Sequence, residues 1–123
     1  MLAFESVVFY VEDIEASKSF YAKVFDAKSN VLSPTFVFIP LLSNLSLGLK
    51  QLDQAVPPAN KSGGGTELSL IVENEVELNE LYQEWKSKEV RFSQQPTELV
   101  FGKTFVALDP DEHRIRVFAP KSE

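Results

Sequence analysis

Residues 4–25, FESVVFYVEDIEASKSFYAKVF, decide the fold. The run from Phe4 to Val11 is dense in β-branched and aromatic residues and too short for an isolated helix, so it predicts a strand. Side chains alternate along a strand, which sends Ser6, Val8 and Tyr10 to one face and Val7, Phe9 and Val11 to the other. Directly after it, Ile14, Ser17, Tyr21, Val24 and Phe25 recur at helical spacing. The Asp13 carboxylate stands where it can accept from the exposed N–H groups of a first turn. A strand feeding a capped amphipathic helix over residues 14–25 is the expected opening unit.

Outward from this unit the pattern becomes short strands. SNVLS (29–33), TFVFIPL (35–41) and LSLGLKQ (45–51) are separated by Ser33-Pro34 and Ser43-Asn44, as strands joined by tight turns would be. Pro40 has no N–H to give a ladder, so its strand is expected at an edge or with a bulge. Residues 53–65, DQAVPPANKSGGG, hold two prolines, three successive glycines and few large apolar residues, and read as a connecting loop.

Beyond the loop the same order returns. ELSLIV (67–72) predicts a strand, and Glu75 to Lys88 predicts a helix with Leu78, Leu81, Tyr82 and Trp85 on one face. VRFS, LVFGKTFVALD and RIRVFAP predict three more strands. Laying Val11 on Val72 also lays Glu12 on Glu73, Asp13 on Asn74, Phe20 on Leu81 and Tyr21 on Tyr82. The fold class expected is α+β: one domain over 1–123, with modules at about 1–52 and 66–120 joined by linker 53–65, each with one strand, one helix and three strands. Each half alone would leave a sheet face bare. The two are therefore expected to curve mixed sheets around a shared cup-shaped cavity, helices outside.

Composition narrows the function. The chain has 123 residues, 44% of them hydrophobic and 24% charged, with ten Phe, three Tyr and one Trp for a core, so disorder and a multidomain machine are excluded. Twelve Lys and Arg against eighteen Asp and Glu leave a net charge of −6 with no basic cluster, which argues against nucleic acid as partner. Without cysteine there is no disulfide framework, thiolate metal site or cysteine nucleophile. The first residues lack a basic leader and place Glu5 in the apolar run, so they read as part of the fold, with neither signal peptide nor membrane partner and a cytoplasmic location expected.

Two stretches resemble the glyoxalase/bleomycin-resistance/dioxygenase superfamily, the vicinal oxygen chelate fold built from repeated βαβββ modules. VEDIEASKSFYAKVF (11–25) is similar to the opening motif of that family and FVALDPDEHRIRVFAP (105–120) to its closing motif. Asp26 and Glu112 stand where the family usually has glycine. Both exchanges concern backbone geometry, and they leave the expected fold unchanged.

The resemblance implies four metal-ligand places, on the first and last strand of each module. Carried over residue by residue, they fall on Ser6, Glu67 and Arg116, with Gln51 as the one candidate on the last strand of the first module. Only Glu67 suits a divalent ion, since Ser6 is a poor neutral ligand and Arg116 brings a permanent positive charge. The family metal is therefore expected to be missing, with no other cofactor in its place. If these places converge as in the family, Glu67 and Arg116 form an ion pair inside an apolar cup, because an uncompensated buried charge costs several kcal/mol. Arg116 would then either anchor a ligand's carboxylate, phosphate or carbonyl, or form a purely structural pair. Tyr10, Phe38, Phe105 and Phe118 are the aromatic residues expected to line the cavity, completing a ligand-binding set with Ser6, Glu67 and Arg116. No catalytic residue is assigned. His113, the one histidine, reads as a solvent-facing turn residue, and Gly63-Gly64-Gly65 as linker.

Two function classes follow, with a third left open. The first is a metal-independent small-molecule binding protein similar to the bleomycin-resistance branch, a homodimer that sequesters a drug or metabolite. The second is a lyase, isomerase or dioxygenase of the same superfamily, with a metal or Glu67 doing the chemistry. An interaction or regulatory module is the third.

Overall fold

The computed structural model describes residues 2–3, 5–42, 45–60 and 63–121. The chain divides into two compact units, Met1–Gly63 and Gly64–Glu123. Their described residues are α+β, with two four-stranded mixed sheets, two α-helices and one short 3-10 turn at Leu52–Gln54.

In the first unit, β1 (Ser6–Val11) leads into α1 (Ile14–Phe25), followed by β2 (Asn30–Ser33), β3 (Phe36–Leu42) and β4 (Leu45–Gln51). The sheet order is β1-β4-β3-β2; β1 and β4 run parallel and the other pairs antiparallel. The Asp13 carboxylate accepts from Glu15 N at 3.1 Å and Ala16 N at 3.2 Å, so two otherwise orphaned N–H groups of α1 are satisfied. Asp26 closes the helix in the left-handed region at φ 51°, the conformation that glycine adopts most readily. One sheet face, carrying Phe9, Val11, Val37, Ile39, Leu47 and Leu49, is buried with the apolar stripe of α1. The start expected at Phe4 and the turn at Ser43-Asn44 lie outside the described residues.

Pro40 behaves as a strand proline must. It faces solvent on β3 just beyond the stretch that pairs with β2, and the β3–β4 register shifts between Pro40 and Leu42. No ladder needs the N–H it lacks on that side.

The second unit repeats the plan as β5 (Glu67–Ile71), α2 (Glu75–Ser87), β6 (Arg91–Leu99), β7 (Gly102–Leu108) and β8 (Arg114–Pro120), in the order β5-β8-β7-β6 with β5 and β8 parallel. Asn74 Oδ1 accepts from Glu77 N at 2.9 Å and caps α2 as Asp13 caps α1. Leu78 and Trp85 are fully buried, and Phe105 meets the rings of Tyr82, Trp85 and Phe92 at 5.5, 5.6 and 5.7 Å.

One boundary differs from expectation. LVFGKTFVALD reads as a single strand, but the chain folds into a β6–β7 hairpin turning at Val100–Phe101, and VRFS is only the first part of β6. Gly102 makes the turn feasible at φ 143°, because a Cβ there would stand 2.1 Å from the Ala119 carbonyl oxygen.

Candidate functional site

Each sheet has one face away from its helix, and the chemistry gathers there. In the first unit this face is set by the pairing rows Ser6–Ser46–Pro40, Val8–Gly48–Phe38 and Tyr10–Lys50–Phe36. Gly48 lets the aromatic residues close over the sheet: a Cβ there would meet Phe36, Val8 and Phe38 at 3.1 to 3.2 Å. Phe36 and Phe38 pack at 4.9 Å between ring centres. Lys50 Nζ donates to Thr35 Oγ1 at 2.9 Å and lies 5.8 Å from the centre of the Phe36 ring. A pocket of about 390 Å³ opens here, bounded by Val8, Tyr10, Phe36, Lys50, Gln54 and Val56. Of the residues predicted for a ligand site, Ser6, Tyr10 and Phe38 therefore share this face, and the Ser6 hydroxyl is given to Glu5 Oε1 at 3.1 Å.

In the second unit the open face holds an ion-pair network. Arg116 Nε donates to Glu67 Oε1 at 2.7 Å, and Arg116 Nη1 reaches Thr104 Oγ1 at 3.2 Å and Gln94 Oε1 at 3.4 Å. Thr104 in turn donates to the Val117 carbonyl at 2.8 Å, which fixes its lone pairs toward the guanidinium. Arg114, two residues before Arg116 and hence on the same face, brings Nε within 3.6 Å of Glu67 Oε2; this Nε is buried and has no hydrogen-bond partner among the described residues. Two guanidinium groups share one carboxylate, so the face carries an excess of positive charge in an acidic protein. Phe118 lies on the same face beyond Arg116, edge-on to Phe101 at 5.5 Å.

Three expectations are corrected. Phe105 lies on the helix side, completely buried among Tyr82, Trp85 and Phe92, because period-2 alternation puts it opposite Thr104. Gln51 also lies off the open face: it pairs with Val11 of the helix-side row, its Oε1 accepting from Ile14 N at 3.0 Å and its Nε2 donating to the Glu12 carbonyl. His113 is only 4% exposed, held by its Nδ1 contact of 2.8 Å to Asp109 Oδ2. Asp109 Oδ1 accepts from Asp111 N and His113 N at 2.9 and 2.8 Å, so the DPDEH turn is wound around one buried carboxylate.

The strand pairings also relocate the fourth family ligand place. Val8 pairs with Gly48 as Ser69 pairs with Arg116, so the position on β4 that corresponds to Arg116 is Gly48. A divalent ion needs several oxygen or nitrogen donors with free lone pairs. The four places offer a hydroxyl, a glycine, a carboxylate already shared by two arginines, and a cation, and this set does not fit the ion. Asp109, Asp111 and His113 bring ligand atoms within 4.8 Å of one another, but both Asp109 oxygens are occupied by the turn just described.

Among the described residues no helix is long and apolar enough to cross a membrane. The Glyoxalase/Bleomycin resistance protein/Dioxygenase superfamily model matches residues 3–117. The chain is 27% identical over 111 residues to the phenazine antibiotic resistance protein EhpR of Enterobacter agglomerans, covering 88% of this chain and 84% of that protein. It is 37% identical to a protein from Agrobacterium tumefaciens solved by solution NMR, with a TM-score of 0.87 over 99% of this chain and 100% of the other. A glyoxalase-related enzyme from Fulvimarina pelagi shares the fold at 19% identity, with a TM-score of 0.82 over 97% of this chain and 88% of that one. With its paired modules, its opening and closing motifs and a model match across nearly its whole length, the chain belongs to the Glyoxalase/Bleomycin resistance protein/Dioxygenase superfamily.

Proposed function

We propose that this chain is a metal-independent small-molecule binding protein that sequesters a drug or metabolite. The observation that carries the reading is the Arg116–Glu67 pair at 2.7 Å, a guanidinium and a carboxylate at two positions that the family resemblance would assign to metal ligands. A guanidinium with donors to spare suits a ligand carboxylate, phosphate or carbonyl. The aromatic residues of the two open faces, Tyr10 and Phe38 on one and Phe118 on the other, supply apolar contact, with Ser6 as a further polar group. Similarity to a phenazine antibiotic resistance protein supports a drug-like molecule as the ligand of such faces. The working form is a cytoplasmic homodimer with no nucleic-acid or membrane partner.

A thermal-shift screen of phenazines, other drugs and metabolites tests the reading, because a bound ligand raises apparent stability by mass action. At least one compound should raise the melting temperature of the wild type and lose that effect in Arg116→Ala. Turnover of a compound in the presence of an added divalent ion would replace this reading with a lyase, isomerase or dioxygenase.

A further inference from the structure

Among the described residues Lys50 is a charge without a counter-charge. It sits half-buried on β4, the strand flanked by β1 and β3, with Tyr10 on one side of it and Phe36 on the other. Among the described residues its Nζ has no carboxylate partner, only the neutral Thr35 hydroxyl and the face of Phe36, although the chain carries eighteen acidic residues. An ammonium held against apolar walls loses hydration that a hydroxyl and a ring only partly replace. The pocket of about 390 Å³ beside it falls within the size range of small-ligand cavities. Its walls are Val8, Phe36, Ala55, Val56 and the ring of Tyr10, and the Gln54 amide and the Tyr10 hydroxyl are its other side-chain polar groups. One cation, one amide, one phenol and flat aromatic and apolar walls are a recognition pattern: a ring to lie on the aromatic side chains and a negative oxygen to meet the lysine.

We infer that the open face of the first unit takes flat aromatic anions, with the ring on Tyr10 and Phe36 and the anionic oxygen on Lys50 Nζ. The inference rests on the small-molecule reading above and gives it a ligand class and a second anchor, separate from Arg116. Net charge does not oppose it at contact distance, since repulsion from the remaining acidic groups is screened beyond about 10 Å at ordinary ionic strength.

The test is a titration of 15N-labelled full-length chain with three probes that share one ring system: 1-naphthoate, the neutral 1-naphthamide and the cationic 1-naphthylmethylammonium. Naphthoate should bind the wild type most tightly and shift the amides of Val8, Phe36, Lys50 and Gln54. Lys50→Met should weaken naphthoate about tenfold and leave naphthamide unchanged, while Lys50→Arg should restore naphthoate, as loss and return of one charge-assisted hydrogen bond require. Equal binding of acid and amide, or naphthoate affinity unaffected by Lys50→Met, overturns the inference. Shifts confined to residues around Arg116 also overturn it and leave the small-molecule reading standing; no response to any of the three probes in either unit counts against both.

Discussion

Arg116 Nε and Glu67 Oε1 meet at 2.7 Å, and the guanidinium of Arg114 approaches the other oxygen of the same carboxylate. Glu67 is thus the one negative group between two positive ones, and its removal is the costly change. Glu67→Ala should destabilise the protein by roughly 1–3 kcal/mol, because two guanidinium groups are left facing each other. Arg116→Met should cost less, about 1 kcal/mol or below, since Arg114 remains to pair with Glu67 and the carboxylate is a third exposed and screened. Urea unfolding of both variants measures the asymmetry. Equal losses would mean that Arg114 takes no part in the network.

Glu112 occupies the left-handed region at φ 66° in the DPDEH turn, where the resemblance leads one to expect glycine. A side chain with a Cβ is disfavoured there by about 1–2 kcal/mol, only part of which is offset by the smaller chain entropy lost on folding. Glu112→Gly should therefore raise stability by roughly 0.5–1 kcal/mol. The long 4.0 Å contact to Arg91 at the surface is too weak to reverse the sign. A fall in melting temperature for this variant would show that the Arg91 contact matters more than the backbone.

Gly102 presents the opposite case. Alanine there would need to share space with the Ala119 carbonyl oxygen, an atom of the β8 backbone that cannot swing aside. Gly102→Ala should cost more than about 3 kcal/mol, with the β6–β7 hairpin opening first under hydrogen exchange. A loss below about 1 kcal/mol would mean the hairpin turns in another way.

Much of this was legible from residue patterns. Asp13 and the spacing of Ile14, Ser17, Tyr21 and Val24 located α1 to the residue, since both a cap and an apolar stripe leave local marks. The Glu67–Arg116 pair was implied by the family resemblance, which put Glu67 and Arg116 at two of its ligand places. What escaped was set by neighbours distant in sequence. Gly48, not Gln51, is the counterpart of Arg116, but that depends on the β1–β4 register, which no local pattern on β4 encodes. The length of β6 was hidden by Pro96, which an edge strand with register shifts between Phe92, Gln94 and Thr97 tolerates. His113 sits among charged turn residues and reads as solvated until Asp109 is seen to fold back on it. Arg114 did leave a signal, since RIR places two arginines on one strand face.

The central claim is that ligand binding needs no metal, and calorimetric titration tests it most directly. The compound giving the largest thermal shift would be titrated into chelator-treated protein, and again after saturation with manganese, nickel or zinc. Affinities agreeing within about twofold are the predicted result. Heat of binding that appears only once an ion has been restored would contradict the account.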